Sequence, residues 1–241
     1  MTKHPDVSLV LPCYNEESHF EKSVAEIVRM LGLSRLVFEI IFVDDGSTDK
    51  TISLIEKTVK KFAFCRKIIH RKNLGRGIAV ADGIRQAKAE IVGYIDIDLE
   101  VSPMYIADMV DILRRGHDVV IGKRMYRSNF SSILREILSS GYRGISRYLL
   151  DTGGLDTETG YKFFRTSRIL RVLPMVRHPH WFWDTEVMVY AKRSGLKIAE
   201  VPVLFVRRTD KKSTVRIFRD TIEYISSLIQ LRWRLRDESM K

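Results

Sequence analysis

The stretch "FEIIFVDDGSTD" (Phe38–Asp49) joins an apolar run to a polar turn. A nearly continuous apolar run of this length is typical of a strand buried on both faces of a sheet, and Asp49 is placed to cap a helix that follows directly. The pattern therefore predicts a strand, a tight connection and a helix. Capping does not explain Asp44 and Asp45, so we expect at least one of these carboxylates to contact a ligand, most simply a nucleoside.

The same alternation of apolar and amphipathic runs continues through the first half of the chain. Predicted strands are Val7–Pro12, Phe38–Asp44, Cys65–His70, Ile91–Asp96 and Asp118–Gly122, and predicted helices are Glu16–Leu31, Asp49–Phe62, Gly75–Lys88 and Pro103–Arg115. Short apolar strands separated by helices of this length indicate βαβ units and a mostly parallel sheet with helices on both faces. In such sheets ligands bind outside the carboxyl ends of the strands, where the polar segments of this sequence fall.

The second half of the chain is less regular. It contains a basic amphipathic segment, a strand, a helix, a second strand and a C-terminal helix, predicted at Ser131–Leu150, Thr159–Arg165, Trp183–Gly195, Lys197–Arg208 and Val215–Arg236. The C-terminal helix has an apolar stripe, formed by Phe218, Ile222, Ile225, Ile229 and Trp233. We expect one catalytic domain over residues 1–214 and a helical extension over residues 215–241.

Composition limits the class of protein. Lys and Arg number 41 against 30 Asp and Glu in 241 residues, which gives a net charge of +11. Such a charge fits nucleic acid, an anionic membrane or a phosphate-bearing substrate, but carboxylates at the strand ends argue against nucleic acid. The two cysteines show no metal-ligand or disulfide spacing, so a reducing compartment is expected. No uncharged apolar run approaches the roughly 18 residues that span a bilayer, so we expect a cytoplasmic protein, soluble or peripheral to a membrane.

The segment "DIDLE" (Asp96–Glu100) places carboxylates at alternate positions after a predicted strand. On an extended chain alternate side chains share a face, so Asp96, Asp98 and Glu100 would repel one another unless a cation offsets their charge. A solvated acidic turn is the alternative interpretation. The strand context favours a hard divalent cation, Mg²⁺ or Mn²⁺, which takes oxygen ligands and bridges a diphosphate.

Several other polar residues have both a structural and a functional interpretation. Gly75 and Gly77 permit either phosphate binding or close packing at a helix start, whereas Arg124, which follows a strand, favours a phosphate contact. Asp184 is interpreted as a helix N-cap and Glu186 as a candidate catalytic group near the cavity. A basic cluster after the last strand is either a solvated turn or an anion site, and it consists of Arg207, Arg208, Lys211 and Lys212.

Six motifs follow one another along the chain. They are "LVLPCYNEE" (Leu9–Glu17), "IIFVDDGSTDKT" (Ile40–Thr51), "NLGRGIAVADGI" (Asn73–Ile84), "DIDLE" (Asp96–Glu100), "TGYKFFR" (Thr159–Arg165) and "EVPVLFVRR" (Glu200–Arg208). In this order they resemble the family 2 inverting glycosyltransferases, and most closely the dolichyl-phosphate mannose synthase branch. The resemblance covers nearly the whole chain. It implies the GT-A fold, in which helices flank a mostly parallel central sheet, and a nucleotide-sugar donor.

The resemblance also implies roles for residues on the donor side. The nucleoside pocket would be lined by Pro12, Tyr14, Glu16, Val43 and Asp45. Asp96 and Ile97 would lie near the ribose and diphosphate. Asp98 and Glu100 would hold the Mg²⁺ or Mn²⁺ ion, although Glu100 stands where the family commonly has Gln. Arg124 would contact the donor phosphates.

On the acceptor side, the resemblance implies a phosphate site formed by Lys162, Arg208 and Ser213. Thr214 stands where the family has Lys, so Lys211 or Lys212 would have to replace that contact. The expected catalytic set is Asp98, Arg124, Lys162 and Glu186.

The implied activity is metal-dependent transfer of a hexose to a polyprenyl or dolichyl phosphate, with mannose from GDP-mannose favoured. A phosphate monoester has a second pKa near ~6, so it is largely a dianion at neutral pH and can attack the anomeric carbon without a general base. The alternative acceptor is a glycan hydroxyl, as in surface polysaccharide or glycoprotein glycan assembly. This acceptor would need a carboxylate base, for which Asp156, Glu158 and Glu186 are the candidates.

A lipid-linked acceptor requires attachment to the cytoplasmic face of a membrane. Ser131–Leu150 and Val215–Arg236 each combine apolar residues with arginines, as interfacial helices do. We expect them to bind an anionic membrane surface or a membrane-embedded partner subunit. In the alternative interpretation, their apolar faces pack on the domain itself.

Overall fold

A computed structural model describes residues 4–126, 150, 153–207 and 217–239. The strands are β1 (Val7–Cys13), β2 (Phe38–Asp44), β3 (Cys65–Ile69), β4 (Ile91–Ile95), β5 (Val119–Tyr126), β6 (Tyr161–Arg165) and β7 (Ile198–Phe205). The helices are α1 (Phe20–Leu33), α2 (Thr51–Lys61), α3 (Arg76–Arg85), α4 (Ile106–Arg114), α5 (Thr166–Val172), α6 (Trp183–Arg193) and α7 (Ile217–Ser239). Short 3₁₀ turns occur at Pro103–Tyr105 and Leu173–Met175. Each strand predicted from the sequence is present, with ends shifted by a few residues.

The strands form one seven-stranded sheet in the order β3-β2-β1-β4-β6-β5-β7. β1 pairs in parallel with β2 and β4, β2 pairs in parallel with β3, and β5 with β7. β6 lies between β4 and β5 and is antiparallel to both. The carboxyl ends of β1, β2, β4, β5 and β7 therefore meet at one edge of the sheet, together with the amino end of β6. The predicted α/β architecture with a mostly parallel sheet is confirmed.

The central strands are apolar because the sheet is covered on both faces. All seven residues of β1 and all five of β4 are buried. One face packs against α3, α5, α6 and α7, and the other against α1, α2 and α4. The strands approach closely at Gly93 in β4, where a Cβ atom would lie 2.2 Å from the ring of Phe163 on β6. The absence of a side chain at Gly93 therefore makes room for the inserted antiparallel strand.

The C-terminal helix α7 packs on the domain through a face that the predicted stripe does not include. Leu228, Leu231 and Leu235 are buried in the same core cluster as residues of β1 and β4. In the predicted stripe, Ile229 is 45% exposed and Trp233 is 62% exposed. Helix α7 thus has two apolar faces. The leucines complete the core, whereas Ile229 and Trp233 of the predicted stripe remain exposed.

Two predictions about the fold fall on residues outside the described ranges. The amphipathic segment Ser131–Leu150 lies outside them except for Leu150, which is buried. The predicted domain boundary at residue 214 also lies outside them, so it stays a prediction. Among the described helices, none combines the length and apolar character that crossing a bilayer requires.

Candidate active site

A cavity of about 840 Å³ opens at the carboxyl edge of the sheet. Its walls come from the turn after β4, the ends of β5 and β7, the segments before β6 and α6, and helix α7. A second cavity, of about 520 Å³, lies at the opposite edge around Asp118 and Arg165. The predicted site residues that the structure describes do not line this second cavity, so the first is the candidate active site.

The carboxylates of "DIDLE" reach the cavity through a turn. β4 ends at Ile95, and the N–H of Leu99 donates to the carbonyl of Asp96 at 3.2 Å. Leu99 has a φ of 55°, in the left-handed region, and the N–H of Glu100 donates to the Asp98 carboxylate at 3.3 Å. Asp96, Asp98 and Glu100 all line the cavity. The predicted convergence is therefore present, but the extended geometry that led to the prediction is wrong.

Asp98 and Glu100 are the residues that could hold a divalent metal. In the described part of the chain, no group of three or more His, Cys, Asp and Glu side chains is arranged to bind a metal ion. A pair of carboxylates still suits Mg²⁺, which proteins commonly bind through one or two carboxylates while waters and substrate phosphates complete its coordination. The carboxylate of Asp96 is engaged differently, because Arg76 donates to it at 2.6 and 2.8 Å.

Asp184 is the centre of a buried charge network that was not predicted. One of its oxygens accepts a hydrogen bond from Arg76 at 2.5 Å. The other accepts from the ammonium group of Lys162 at 2.9 Å and from the hydroxyl of Tyr94. Asp184 lies within the first turn of α6, after the N-cap residue Phe182, so the predicted N-cap role is wrong. The sequence signal that could have found this network is an acidic residue near the start of a helix whose following residues are mostly apolar.

The network changes the protonation behaviour of its members. Burial, opposed by Arg76 and reinforced by the carboxylates of Asp98 and Asp184, raises the pKa of Asp96 to about 6. Burial lowers the pKa of Lys162, although Asp184 acts in the opposite direction. Lys162 is fully buried and also donates to the carbonyl of Thr159. In the structure this ammonium group holds Asp184, and the expected contact between Lys162 and an acceptor phosphate stays a prediction.

Arg124 is fixed at the cavity wall by two carboxylates. Its Nε and Nη2 atoms donate to Asp156 at 2.9 and 2.7 Å, and Nη2 also donates to Glu158 at 3.0 Å. Although burial acts against it, hydrogen bonding from Arg124 lowers the pKa of Asp156. Arg124 lines the cavity, where a donor phosphate could reach it. Asp156 and Glu158 are engaged with this guanidinium group and are poorly placed to act as proton-accepting bases.

Glu186 lies beneath the cavity rather than in its wall. Its side chain is fully buried and accepts hydrogen bonds from the N–H groups of Arg177 at 3.1 Å and His178 at 2.7 Å. It also forms an ion pair with Arg234 of α7. These contacts give Glu186 a structural role, and its catalytic role stays a prediction. The residue connects helix α7 to the segment before α6.

The residues expected around a nucleoside lie at or after the ends of β1, β2 and β4, and apart from Asp96 they are not among the residues that line the cavity. Pro12 pairs with Val43 across β1 and β2, and both are buried. The side chains of Val43 and Ile97 belong to the core, so only their backbone atoms could contact a ligand. Tyr14 is 46% exposed, and the carboxylate of Glu16 lies 2.9 Å from the ring of His19. Their contacts with a nucleoside stay predictions.

Asp44 and Asp45 both organise loops. Asp45 accepts hydrogen bonds from the His70 ring at 2.8 Å, from the N–H of Leu74 at 2.9 Å and from the N–H of Gly75 at 2.8 Å. Asp44 accepts hydrogen bonds from the two N–H groups of the following turn, at 3.1 and 3.0 Å. These structural roles explain the adjacent pair of carboxylates without a ligand, so the expected contact of Asp45 with a nucleoside stays a prediction.

Helix α7 adds a wall of the cavity that was not predicted. Glu223, Tyr224 and Ser227 line the cavity, and the Tyr224 hydroxyl is hydrogen-bonded to Thr185 of α6. Thr185 is in turn hydrogen-bonded to Thr157 at 3.0 Å. The expected acceptor-phosphate ligands Arg208 and Ser213 lie outside the described residues, so their roles stay predictions.

Comparison of the sequence with known proteins identifies its relatives. The sequence profile "Glycosyl transferase family 2" matches residues 8–174. Glycosyltransferase AglD of Haloferax volcanii is 30% identical over 235 residues, which cover 95% of this chain and 37% of that protein. A dolichyl-phosphate beta-glucosyltransferase of Trichomonas vaginalis is 30% identical over 211 residues, which cover 82% of this chain and 64% of that protein. The chain thus spans less than two thirds of the length of either relative.

Solved structures share the fold. Glucosyl-3-phosphoglycerate synthase from Mycobacterium tuberculosis, in complex with UDP, matches with a TM-score of 0.73 at 21% identity, covering 95% of this chain and 80% of that chain. The same synthase in complex with Mn²⁺, UDP-glucose and phosphoglyceric acid matches with a TM-score of 0.73 at 20% identity, with the same coverage. This likeness confirms the predicted GT-A fold.

Proposed function

Because the chain belongs to glycosyl transferase family 2, we propose that it transfers a hexose from a nucleotide sugar to a polyprenyl phosphate of the dolichyl type. The observation that carries the proposal is the cavity where Asp98 and Glu100 share a wall with Arg124. Carboxylates for a divalent metal and a guanidinium group for a diphosphate are thereby present in one site. Relatives named dolichyl-phosphate beta-glucosyltransferases support the acceptor.

The transferred hexose is proposed to be glucose. The sequence motifs favoured mannose from GDP-mannose, but the relatives whose names state a dolichyl-phosphate acceptor are glucosyltransferases. These names support glucose over mannose and, with it, a different donor. The donor in this proposal is a nucleoside-diphosphate glucose.

The chemistry of the cavity favours a phosphate acceptor over a glycan hydroxyl. A hydroxyl nucleophile must give its proton to a base, but Asp156 and Glu158 are hydrogen-bonded to Arg124 and Glu186 is buried. A phosphate dianion needs no base. One of its oxygens would form a bond to the anomeric carbon while the bond to the nucleoside diphosphate breaks on the opposite side, which inverts the configuration.

The residues of the site have distinct roles in this reaction. Arg124 binds the donor diphosphate and stabilises the charge that develops as it leaves. Asp98 and Glu100 would hold Mg²⁺ or Mn²⁺, which would supply further positive charge to the leaving diphosphate. Asp184, held by Lys162, positions Arg76 against Asp96, and both carboxylates line the cavity. Arg208 and Ser213 are the proposed ligands of the acceptor phosphate.

A polyprenyl phosphate resides in a bilayer, so the proposed place of the reaction is the cytoplasmic face of a membrane. The protein would reach it either by binding an anionic lipid surface or by binding a membrane-embedded partner subunit. The net charge of +11 supports the lipid surface.

A transfer assay tests the proposed function. The protein is incubated with radiolabelled UDP-glucose, GDP-glucose or GDP-mannose, with dolichyl or undecaprenyl phosphate, and with either Mn²⁺ or EDTA. We expect label from a glucose donor to enter the lipid fraction, and EDTA to prevent this. Label that enters only an added glycan would select the hydroxyl acceptor, and transfer from GDP-mannose alone would overturn the assignment of glucose.

Replacing Asp98 tests the metal assignment. Asp98→Asn keeps the size of the side chain but removes a charged oxygen ligand, so we expect transfer to fall on the order of a hundredfold. Asp111→Asn, at an exposed position of α4, is the matched control and should transfer at the wild-type rate. Equal rates for the two variants would contradict the role of Asp98.

A further inference from the structure

The side of α7 that faces away from the domain carries exposed apolar residues. We define the outer face as Ile225, Ile229, Arg232, Trp233 and Arg236, which share one side of the helix because they recur at intervals of three, four and seven residues. Trp233 is 62% exposed and Ile229, one turn earlier, is 45% exposed. Other residues of the same helix complete the core, so packing against the described part of the domain does not account for the outer face.

The outer face of α7 carries more positive than negative charge. The helix has no net charge, since it contains Arg219, Arg232, Arg234 and Arg236 together with Asp220, Glu223, Asp237 and Glu238. Two of the arginines, Arg232 and Arg236, are exposed on the outer face, and the guanidinium group of Arg236 lies 5.8 Å from the centre of the Trp233 ring. Of the acidic residues, Glu223 lines the cavity and Glu238 accepts a hydrogen bond from Tyr190, whereas Asp237 is exposed one turn after Trp233. The outer face therefore combines apolar surface with positive charge.

We propose that the outer face of α7 docks on an anionic lipid bilayer. Tryptophan is favoured at membrane interfaces because its ring is apolar while its N–H remains close to water. Arginine covers apolar surface with its stem and extends its charged end toward lipid phosphates. An anionic bilayer thus complements both components of the outer face.

The position of α7 links this surface to the site. The helix lines the cavity with Tyr224 and Ser227 on one side and presents the outer face on another. A docked bilayer would therefore lie about one helix diameter, roughly 10–12 Å, from the cavity wall. Membrane docking would serve the proposed function, because it brings the cavity to a lipid-linked acceptor. The outer face itself can bind a bilayer whether or not that acceptor is the correct one.

Vesicle sedimentation tests the docking surface. The probe is a vesicle of equal parts phosphatidylglycerol and phosphatidylcholine, without donor or acceptor, and vesicles of phosphatidylcholine alone are the comparison. We expect the wild-type protein to bind the anionic vesicles, and Ile229→Ala/Trp233→Ala to bind at least about tenfold more weakly, since a partly buried apolar side chain contributes about this much to an interface. Arg232→Gln/Arg236→Gln should lose the preference for anionic lipid. Gln230→Ala, at an exposed polar position of the same helix, should bind as the wild type does.

Three results separate the alternatives. The proposal is overturned if the wild-type protein ignores anionic vesicles, or if Ile229→Ala/Trp233→Ala binds them unchanged. Sedimentation velocity without lipid tests for a dimer. A dimer that the double variant dissociates would place the outer face between two copies, and this result would also overturn the proposal. In detergent with a short-chain polyprenyl phosphate, the double variant should transfer hexose at the wild-type rate. A lack of transfer by both proteins there would count against the proposed function and leave the vesicle result standing.

Discussion

At the scale of single residues, neighbouring carboxylates in the sequence have different partners in the structure. Asp96 is about one third exposed and shares the guanidinium group of Arg76 with the buried Asp184. Asp98, two positions later, lies in the turn whose carboxylates could hold a metal. A single acidic motif therefore contributes both to a largely buried ionic network and to the candidate metal site of the same cavity.

Replacing Asp96 by Asn should change how stability depends on pH. The pKa of Asp96 is raised to about 6 in the folded protein from about 3.9 in an unfolded chain, so the folded state binds this proton more tightly. Its contribution to stability is complete below pH ~4 and is lost as the pH rises through about 6. As the pH rises between these two values, the thermal midpoint of the wild-type protein should therefore decrease relative to that of Asp96→Asn. Parallel midpoint curves for the two proteins would contradict the raised pKa.

Replacing Gly160 by Ala should displace the carboxylate of Asp96. A Cβ atom at Gly160 would lie 1.8 Å from a carboxylate oxygen of Asp96 and 2.8 Å from Arg76, so the ionic network must move. We expect transfer to fall by about tenfold or more, because misplaced site groups are costly to catalysis. The control is Gly32→Ala in α1, where the added Cβ would meet nothing within 4 Å. A Gly160→Ala enzyme as active as this control would show that the position of Asp96 is unimportant.

At the scale of secondary-structure elements, β6 and α7 shape the site most. β6 enters the sheet antiparallel between β4 and β5, which brings the loop before it to the same edge as the turn after β4. Helix α7 closes the cavity from one side and fills the core from another. Both elements come from the second half of the chain, whose sequence pattern is the less regular.

The two apolar faces of α7 should respond differently to truncation. Leu231→Ala removes a side chain that is 1% exposed, and such core truncations destabilise by about 2–5 kcal/mol. Ile229→Ala, two positions away on the outer face, should change the free energy of unfolding by less than about 0.5 kcal/mol. Urea unfolding of both variants measures the difference. A larger loss for Ile229→Ala would show that the packing face has been assigned wrongly.

At the scale of the whole molecule, the described residues share cores that extend across both halves of the sequence. The cluster that contains residues of β1, β4 and α3 also contains the leucines of α7. A helical appendage, as the predicted boundary at residue 214 implies, would unfold without affecting the catalytic domain. The shared core leads us to expect the opposite.

Removing residues 217–241 should destabilise the entire protein. The deletion exposes the surface that Leu228, Leu231 and Leu235 cover, and three buried leucines contribute about 5–8 kcal/mol. The thermal midpoint should fall by at least about 10 °C for a chain of this size. A variant that lacks only residues 240–241 is the control. An unchanged midpoint after the longer deletion would support a separate appendage.

The sequence by itself determined the elements, the sheet type and the family, because apolar periodicity and short motifs are local properties of a chain. It also placed Asp98 and Glu100 at the carboxyl edge of the sheet, since residues that follow parallel strands meet there, and Arg124 near the same edge, although β5 continues past it to Tyr126. Tertiary structure alone decided the roles of Asp184 and Lys162 and the buried face of α7. The reason is distance along the chain: Arg76 and Asp184 are 108 residues apart, and Glu186 and Arg234 are 48 residues apart. Such partners are brought together only by the packing of the complete fold.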